Sequence, residues 1–357
     1  MKNHSEHCIN SLMTTYTKPI FTSIGNACTD IVASVPDSFL DEHQFRKHLC
    51  AHVMTLDEIF AIKSNLSSYQ IFPGGAGANV CHVISALGGE SHFISKIAAD
   101  PEGLSFLQSS ENAGITCHFP PPLPATMGST QVLALITPDG ERTFVSFDGA
   151  SRTFDQTDYD FNVITQSTYL YLDGYCYSAP ATAEGYIAAT KAAKAAGCQM
   201  IFNVGDLSLY ETSRDAINNV LAICDSVICN RPEAEAFFGM APIDQLARTM
   251  TQKYTFGAIT DGKNGAFVFH NKKILHIPAI DSSDLPSIDT NGAGDHFAGG
   301  FIFGLMQNFS LEQAGHLGVL CAKDCLSHAG ARPLGGFGYL RHLVEIAKPM
   351  KADKLSI

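Results

Sequence analysis

Charge is scarce in this chain of 357 residues: 16% are Asp, Glu, Lys or Arg, and the basic share is the smaller, 23 residues against 35 acidic, for a net charge of −12. No basic run interleaved with aromatics is present to hold a phosphate backbone, so a nucleic-acid partner is not expected. The acidic balance also repels free anions, and a phosphate-bearing ligand should arrive with a metal or meet a local positive site. Long apolar runs are lacking too. None reaches the roughly 18 residues of a membrane span, and the polar start MKNHSEHCINSLMTTYTKP has no apolar core of a secretory signal. The eleven cysteines are odd in number and include no CxxC pair, which speaks against a zinc site or a disulfide framework. Free thiols in apolar stretches such as VLAICDSVIC (220–229) fit a reducing cytoplasm.

What is present is apolar substance: 45% hydrophobic residues, enough to exclude disorder for most of the chain. At roughly 150 residues per domain the length suits two or three units or one large α/β domain. Residues 20–33 read as a strand ending at a Gly-Asn turn. MTLDEIFAIKSNL reads as an amphipathic helix with Leu56, Ile59, Phe60 and Ile62 on its apolar side. NVCHVISALGG is a helix closed by Gly88-Gly89, HFISKIAA (92–99) a buried strand and PEGLSFLQSSENAG (101–114) a helix. Residues 115–147 change character to two alternating β runs joined at PDGE, a tight hairpin signal. From about 161 apolar strands alternate with helices, the last helices starting at Gly292 and Leu311. That alternation predicts an α/β fold with a doubly wound, mainly parallel sheet covered on both faces. The hairpin segments do not fit that sheet and are expected to form a small β lid, built from about 34–56 and 116–147, on a core spanning 20–345 behind an N-terminal extension, 1–19.

The richest stretch is DTNGAGDHFAGGFIFGL (289–305). Asn291, Gly292, Ala293 and Gly294 make a small-residue turn, and Asp295 opens a helix. Amides at such a turn and helix start cradle an anion, and glycines let a phosphate approach the main chain. A carboxylate beside a phosphate is repulsive unless it acts on a proton, which suits a general base taking a hydroxyl proton. An Asp N-cap on a glycine-rich turn is the plainer account of the GAGD string by itself.

This segment closely resembles the C-terminal signature of the ribokinase-like (PfkB) family of sugar and nucleoside kinases, and GGAGANVCHVISALGG (74–89) resembles the family's N-terminal glycine pair and helix. The two long motifs stand in the family's order. The resemblance implies a ribokinase-like fold and transfer of the ATP γ-phosphoryl group to a hydroxymethyl group. It makes Asp295 the base and Gly292, Ala293 and Gly294 the anion hole. Asn230-Arg231-Pro232-Glu233 is similar to the family's NxxE element, with Glu233 acting on Mg2+ through water, as a hard oxygen ligand would. Thr260-Asp261-Gly262-Lys263-Asn264-Gly265 is similar to the loop lining the ATP phosphates and ribose, which brings in Thr260, Gly262 and Gly265 beside Asn291. Asp289 resembles the family's monovalent-cation ligand, implying K+.

For the acceptor, Asp30 follows the Gly25-Asn26 turn where a first strand ends, and a carboxylate accepts bonds from two vicinal hydroxyls. The resemblance adds Asn26, Gly74, Gly75 and Asn79, the glycine pair leaving the place of a sugar ring clear. DTNGAGD, the GNxxxD spacing and ERTFVSFDGAS (141–151) resemble bacterial adenosine-kinase-like members, whereas GGAGAN resembles the sugar kinases. A nucleoside acceptor leads, with Phe144, Val145 and Phe147 offering a lid surface for its base. A ribokinase- or fructokinase-type sugar kinase and a non-catalytic ligand-binding protein of the same fold are the alternatives. His296 is expected as a packed or solvent-facing helix residue, His48 and His52 as lid surface, Gly299-Gly300 as a close helix contact and PPPLP (120–124) as a stiff connection. Exposed strands in 116–147 allow a homodimer beside the monomer.

Overall fold

Strands that are apolar on both faces must be covered on both faces, and YLYLD (169–173), QMIFN (199–203), SVICN (226–230) and FGAIT (256–260) are of this kind. In the computed structural model, which describes residues 18–47, 50–178, 180–205, 207, 210, 213–282, 285, 290–349 and 353–354, they lie side by side in a ten-stranded sheet. The strands in chain order are β1 (Ile20–Ile24), β2 (Cys28–Ser34), β3 (Cys50–Val53), β4 (Gln70–Gly74), β5 (Glu90–Ile94), β6 (Thr116–His118), β7 (Thr130–Ile136) and β8 (Arg142–Phe147). They continue as β9 (Tyr169–Asp173), β10 (Gln199–Asn203), β11 (Ser226–Asn230), β12 (Phe256–Thr260), β13 (Ala266–His270), β14 (Lys273–Ile277) and β15 (Asp353–Lys354). The large sheet runs β15-β14-β13-β12-β11-β10-β9-β1-β5-β6, parallel from β6 to β12 and antiparallel beyond.

The helices that shape the site are α1 (Leu56–Ser64), α2 (Ala76–Ala86), α3 (Pro101–Asn112), α4 (Arg231–Phe238), α5 (Ala293–Met306) and α6 (Leu311–Cys325). One apolar cluster joins α2, α5 and α6 to one face of the sheet, and a second, holding Tyr186, Ile217 and Leu246, covers the other. This is the doubly wound architecture expected. The close helix contact predicted at Gly299-Gly300 falls between helices: a side chain on Gly299 would meet Val83 of α2, and one on Gly300 the Leu317 carbonyl of α6.

The second sheet, β3-β8-β7-β2-β4, is the lid. Its hairpin closes at Gly140 with φ +85°, as PDGE required. Its boundaries differ from those expected. Residues 20–33 are two strands, because Gly25–Ala27 turn the chain out of the large sheet, so that β2 begins in the lid at Cys28. β4 also belongs to the lid, paired antiparallel with β2. Conversely, Thr116–His118 pairs with His92–Ile94 in the large sheet, where Cys117 and Phe119 pack on the main core, and PPPLP then carries the chain across. Phe60 is a second correction: it is 47% exposed, with the Lys63 ammonium 5.3 Å over its ring, while Ile59 and Ile62 take the lid-core positions. Among the described residues no helix is long and apolar enough to cross a membrane. Residues 1–17, His48 and Asp289 lie outside the described part.

Candidate active site

Parallel strands present their carboxyl ends to ligands, and here four neighbours do so in turn: Asp173 ends β9, Asn203 β10, Asn230 β11 and Thr260 β12. These residues line one cleft of about 320 Å³, closed from the other side by lid residues including Asp30, Val132, Phe144 and Asp148. α5 begins at its floor. Gly292 holds a left-handed conformation, φ +81°, and a side chain on it would run into Ala331; on Gly294 it would meet no atom within 4 Å. The space over Gly294 is therefore open, at a helix start whose first amides lack intrahelical acceptors.

Asp295 borders that space. Asn79 of α2 donates a hydrogen bond from Nδ2 to its Oδ2 at 2.9 Å. Burial lifts its carboxyl to about 7, the Asn79 bond opposes the rise, and the charges of Asp173, Asp30 and Glu233 add to it. Asp173, 1% exposed, is raised to about 6 by burial, against the amides of Tyr175 and Gly77, which donate to it at 3.0 and 3.2 Å. A group poised near neutrality can take a proton from a hydroxyl and release it again.

Glu233, 3% exposed, forms a capping box with Asn230: the Asn230 amide donates to Glu233 Oε2 at 3.0 Å and the Glu233 amide to Asn230 Oδ1 at 2.9 Å. Thr260 lines the cleft, but Gly262 and Gly265 do not; they form the turn after β12, with φ of +51° and +91°. Ala293 is likewise absent from the lining.

Of the residues expected to hold the acceptor, Asn26, Asp30, Gly75 and Asn79 line this one cleft. Asn291 Nδ2 lies 3.5 Å from Asp30 Oδ2, joining the lid strand to the glycine-rich turn. The glycine pair is also needed for packing within the protein. A side chain on Gly74 would overlap the Asp30 carboxylate, and Gly75, φ +89°, faces the Asn26 carbonyl, so the pair makes room for these protein groups, while Gly75 also lines the cleft. Of the three lid residues expected to face a base, Phe144 alone lines the cleft; Val145 and Phe147 alternate inward to the lid core. His52 borders the cleft from β3. His296 is fully buried, its Nδ1 at 3.1 Å from the Cys321 carbonyl oxygen.

Sequence reasoning missed Asp173 and Arg332. The first had a signal, an acid at the end of YLYLD. Arg332, 5% exposed, has none in its local string, HAGARPL; it donates from Nε to Asn79 Oδ1 at 3.3 Å and from an η nitrogen to the Gly74 carbonyl at 2.9 Å. It thereby holds the acceptor-side loop and the amide that touches Asp295.

Together the two sheets and the cleft between them define an α/β kinase of the ribokinase-like fold. Residues 52–334, 283 of 357, match the pfkB family of carbohydrate kinases, and the chain belongs to that family. It is a phosphotransferase with an alcohol group as acceptor, a sugar or a nucleoside, and the family uses ATP, typically with a divalent metal. Among similar proteins, a fructokinase of Klebsiella pneumoniae is 27% identical over 65% of this chain and 76% of its own length. Adenosine kinase 2 of Arabidopsis thaliana is 23% identical over 87% of this chain and 94% of its own. The crystal structure of adenosine kinase from Sinorhizobium meliloti superposes with a TM-score of 0.83 at 26% identity, covering 91% of this chain and 99% of that one.

Proposed function

We propose that this kinase phosphorylates the hydroxymethyl group of a purine nucleoside of the adenosine type, with Asp295 as general base. The observation that carries the base assignment is a carboxylate raised to about 7, held by Asn79 at 2.9 Å, at a helix start open over Gly294. The acceptor O–H bond breaks as Asp295 takes the proton, and the oxygen attacks the γ-phosphorus in line while the bond from that phosphorus to the β,γ-bridging oxygen breaks and ADP leaves. Amides at the start of α5, with Gly292 shaping the turn, steady the transferring phosphoryl group. Asp30 accepts from the vicinal ribose hydroxyls, flanked by Asn26 and Asn291.

Mg2+ fits the donors present: two buried carboxylates, Asp173 and Glu233, line the same cleft as Asp295. Among the described residues no group of three or more His, Cys, Asp or Glu is placed to hold a metal directly, which suits an ion kept largely hydrated, with Glu233 its protein-side anchor. When bound it supplies positive charge to the phosphates. The role of K+ rests on Asp289 and the family resemblance.

The nucleoside preference is supported by the Phe144 and Val132 side chains on the lid wall of the cleft, which a bare sugar leaves uncovered, and by the longer span of the adenosine kinase match. Burying a base there contributes about 1–3 kcal/mol. The test is competitive phosphorylation of adenosine, inosine, ribose and fructose at equal concentration. Adenosine or another purine nucleoside is expected to show the highest kcat/KM, and a free sugar phosphorylated fastest replaces this reading with the sugar kinase.

A further inference from the structure

Behind the acceptor loop lies a second cavity, about 570 Å³, between α2, α3 and the loop 329–336 that follows α6. In a chain with 35 acidic residues, not one Asp or Glu lines it. Its floor holds the buried side chains of His82 and Arg332, and Ser109, Gln108 and Asn112 of α3 line its outer wall.

Arg332 is the unusual group. It is buried, yet no carboxylate stands within 4 Å of it among the described residues; its neighbours are the Asn79 side chain, the Ser110 hydroxyl at 3.3 Å, the Gly74 carbonyl and the face of Phe106 at 4.6 Å. Burial lowers its guanidinium to about 10, opposed chiefly by the charge of Asp30 from beyond 4 Å, and a buried guanidinium with no closer anion is costly. It has five N–H donors, of which these neighbours take three. His82 is likewise buried, 5% exposed, with, among the described residues, no side-chain partner and only the Gly335 main chain beside its ring. Burial and the Arg332 charge keep its ring neutral, pushed down to about 3, so it can donate one N–H to an anion without adding charge.

We infer that this cavity is a binding site for a small organic anion, whose carboxylate or phosphoryl oxygens pair with Arg332 and His82. Such a ligand gives the buried cation an anion in direct contact, where the protein itself offers the Asp30 carboxylate only from a longer distance. Exposed Leu334 and the prolines Pro73 and Pro333 give an apolar border that suits a short carbon skeleton. Arg332 itself lies two hydrogen bonds from the Asp295 carboxylate, through Asn79.

The test is calorimetric titration of the full chain with succinate and, separately, with inorganic phosphate, at constant ionic strength. Saturable one-to-one binding of at least one anion is expected, weakened tenfold or more by Ser109→Phe, which fills the cavity from α3 while Arg332 stays. The arm that binds more tightly tells carboxylate from phosphoryl recognition. Failure of both anions to bind, or binding unchanged in Ser109→Phe, overturns the site. Hydrogen exchange of the unmodified protein needs no variant: protection by the bound anion at 105–112 and 329–336 supports it, and protection confined to 290–296 places the anion at the start of α5 and overturns it.

Discussion

Asp295 shows how a single side chain is made unstable in order to be useful. Its folded value, about 7, lies above its ordinary 3.8, so near neutral pH the native state keeps a proton that the unfolded chain has lost. Stability therefore falls as pH climbs from about 4 through 7, while the basic form that a hydroxyl needs becomes populated. Asp295→Asn is expected to lower kcat by about 10²- to 10⁴-fold with ATP binding nearly intact. The same variant should be the more stable protein at pH 8, by at most about 4 kcal/mol because the cleft side of the carboxylate stays wet, with the gap narrowing below pH 7. Paired thermal melts at pH 6 and 8 read this directly, and a variant keeping more than a tenth of the turnover moves the base elsewhere. In the wild type, kcat/KM should rise with pH through about 7. For Glu233→Gln the expectation is a higher magnesium concentration at half-maximal rate, since a charged oxygen ligand is lost; an unchanged magnesium titration leaves Glu233 as the cap of α4 alone. At this scale the sequence was informative wherever chemistry is local. The NGAGD string and the strand-end acids announce themselves, whereas Arg332 is brought to Asn79 across 253 positions of chain.

Helix α5 carries the same lesson to the level of elements. A glycine inside a helix normally gains about 1 kcal/mol on replacement by alanine. Gly300 should do the reverse, because an added methyl would stand 2.7 Å from the Leu317 carbonyl oxygen and 2.9 Å from Cys321 Sγ, and neither lies at the end of a flexible chain. Gly300→Ala is expected to cost about 1–3 kcal/mol in urea unfolding, and a neutral or stabilising result would mean that α5 and α6 can slide apart. Periodicity located most strands of the large sheet and most of the long helices, each of which buries a face its own sequence spells out, but not the short strands Cys50–Val53 and Gln70–Gly74 or the helix Ile243–Thr251. It could not tell which sheet a strand joins: β2 (CTDIVAS) and β6 (TCH) are short and mixed in polarity, and only pairing partners far along the chain decide. Phe60 misled for a related reason, being apolar at a helical spacing but set outside the lid core, under Lys63.

The whole molecule is two sheets facing one cleft, and beside the Asn291–Asp30 contact a shorter one links the lid to the glycine-rich turn: Arg142 of β8 donates to Thr290 Oγ1 at 2.9 Å. Loss of one such hydrogen bond is worth about 0.5–1.5 kcal/mol, so Arg142→Ala should raise the acceptor KM by about 2- to 10-fold and leave kcat within twofold. Steady-state kinetics with acceptor varied decides it, and an unmoved KM shows that this contact does not hold the lid. The doubly wound core was legible because βα alternation leaves few other ways to bury so many apolar strands. The lid's membership was not, because the chain enters and leaves it at two separated places. Those places, Gly25–Ala27 and Gly74–Gly75, carry or adjoin Asn26, Asp30 and Asn79, which line the cleft. The chain's crossings between the sheets thus form one wall of the proposed acceptor site. A substitution there is expected to change that wall and the join between the two sheets together. Val132 and Phe144, on lid strands away from the crossings, line the cleft as well, and a substitution there is expected to change the wall alone.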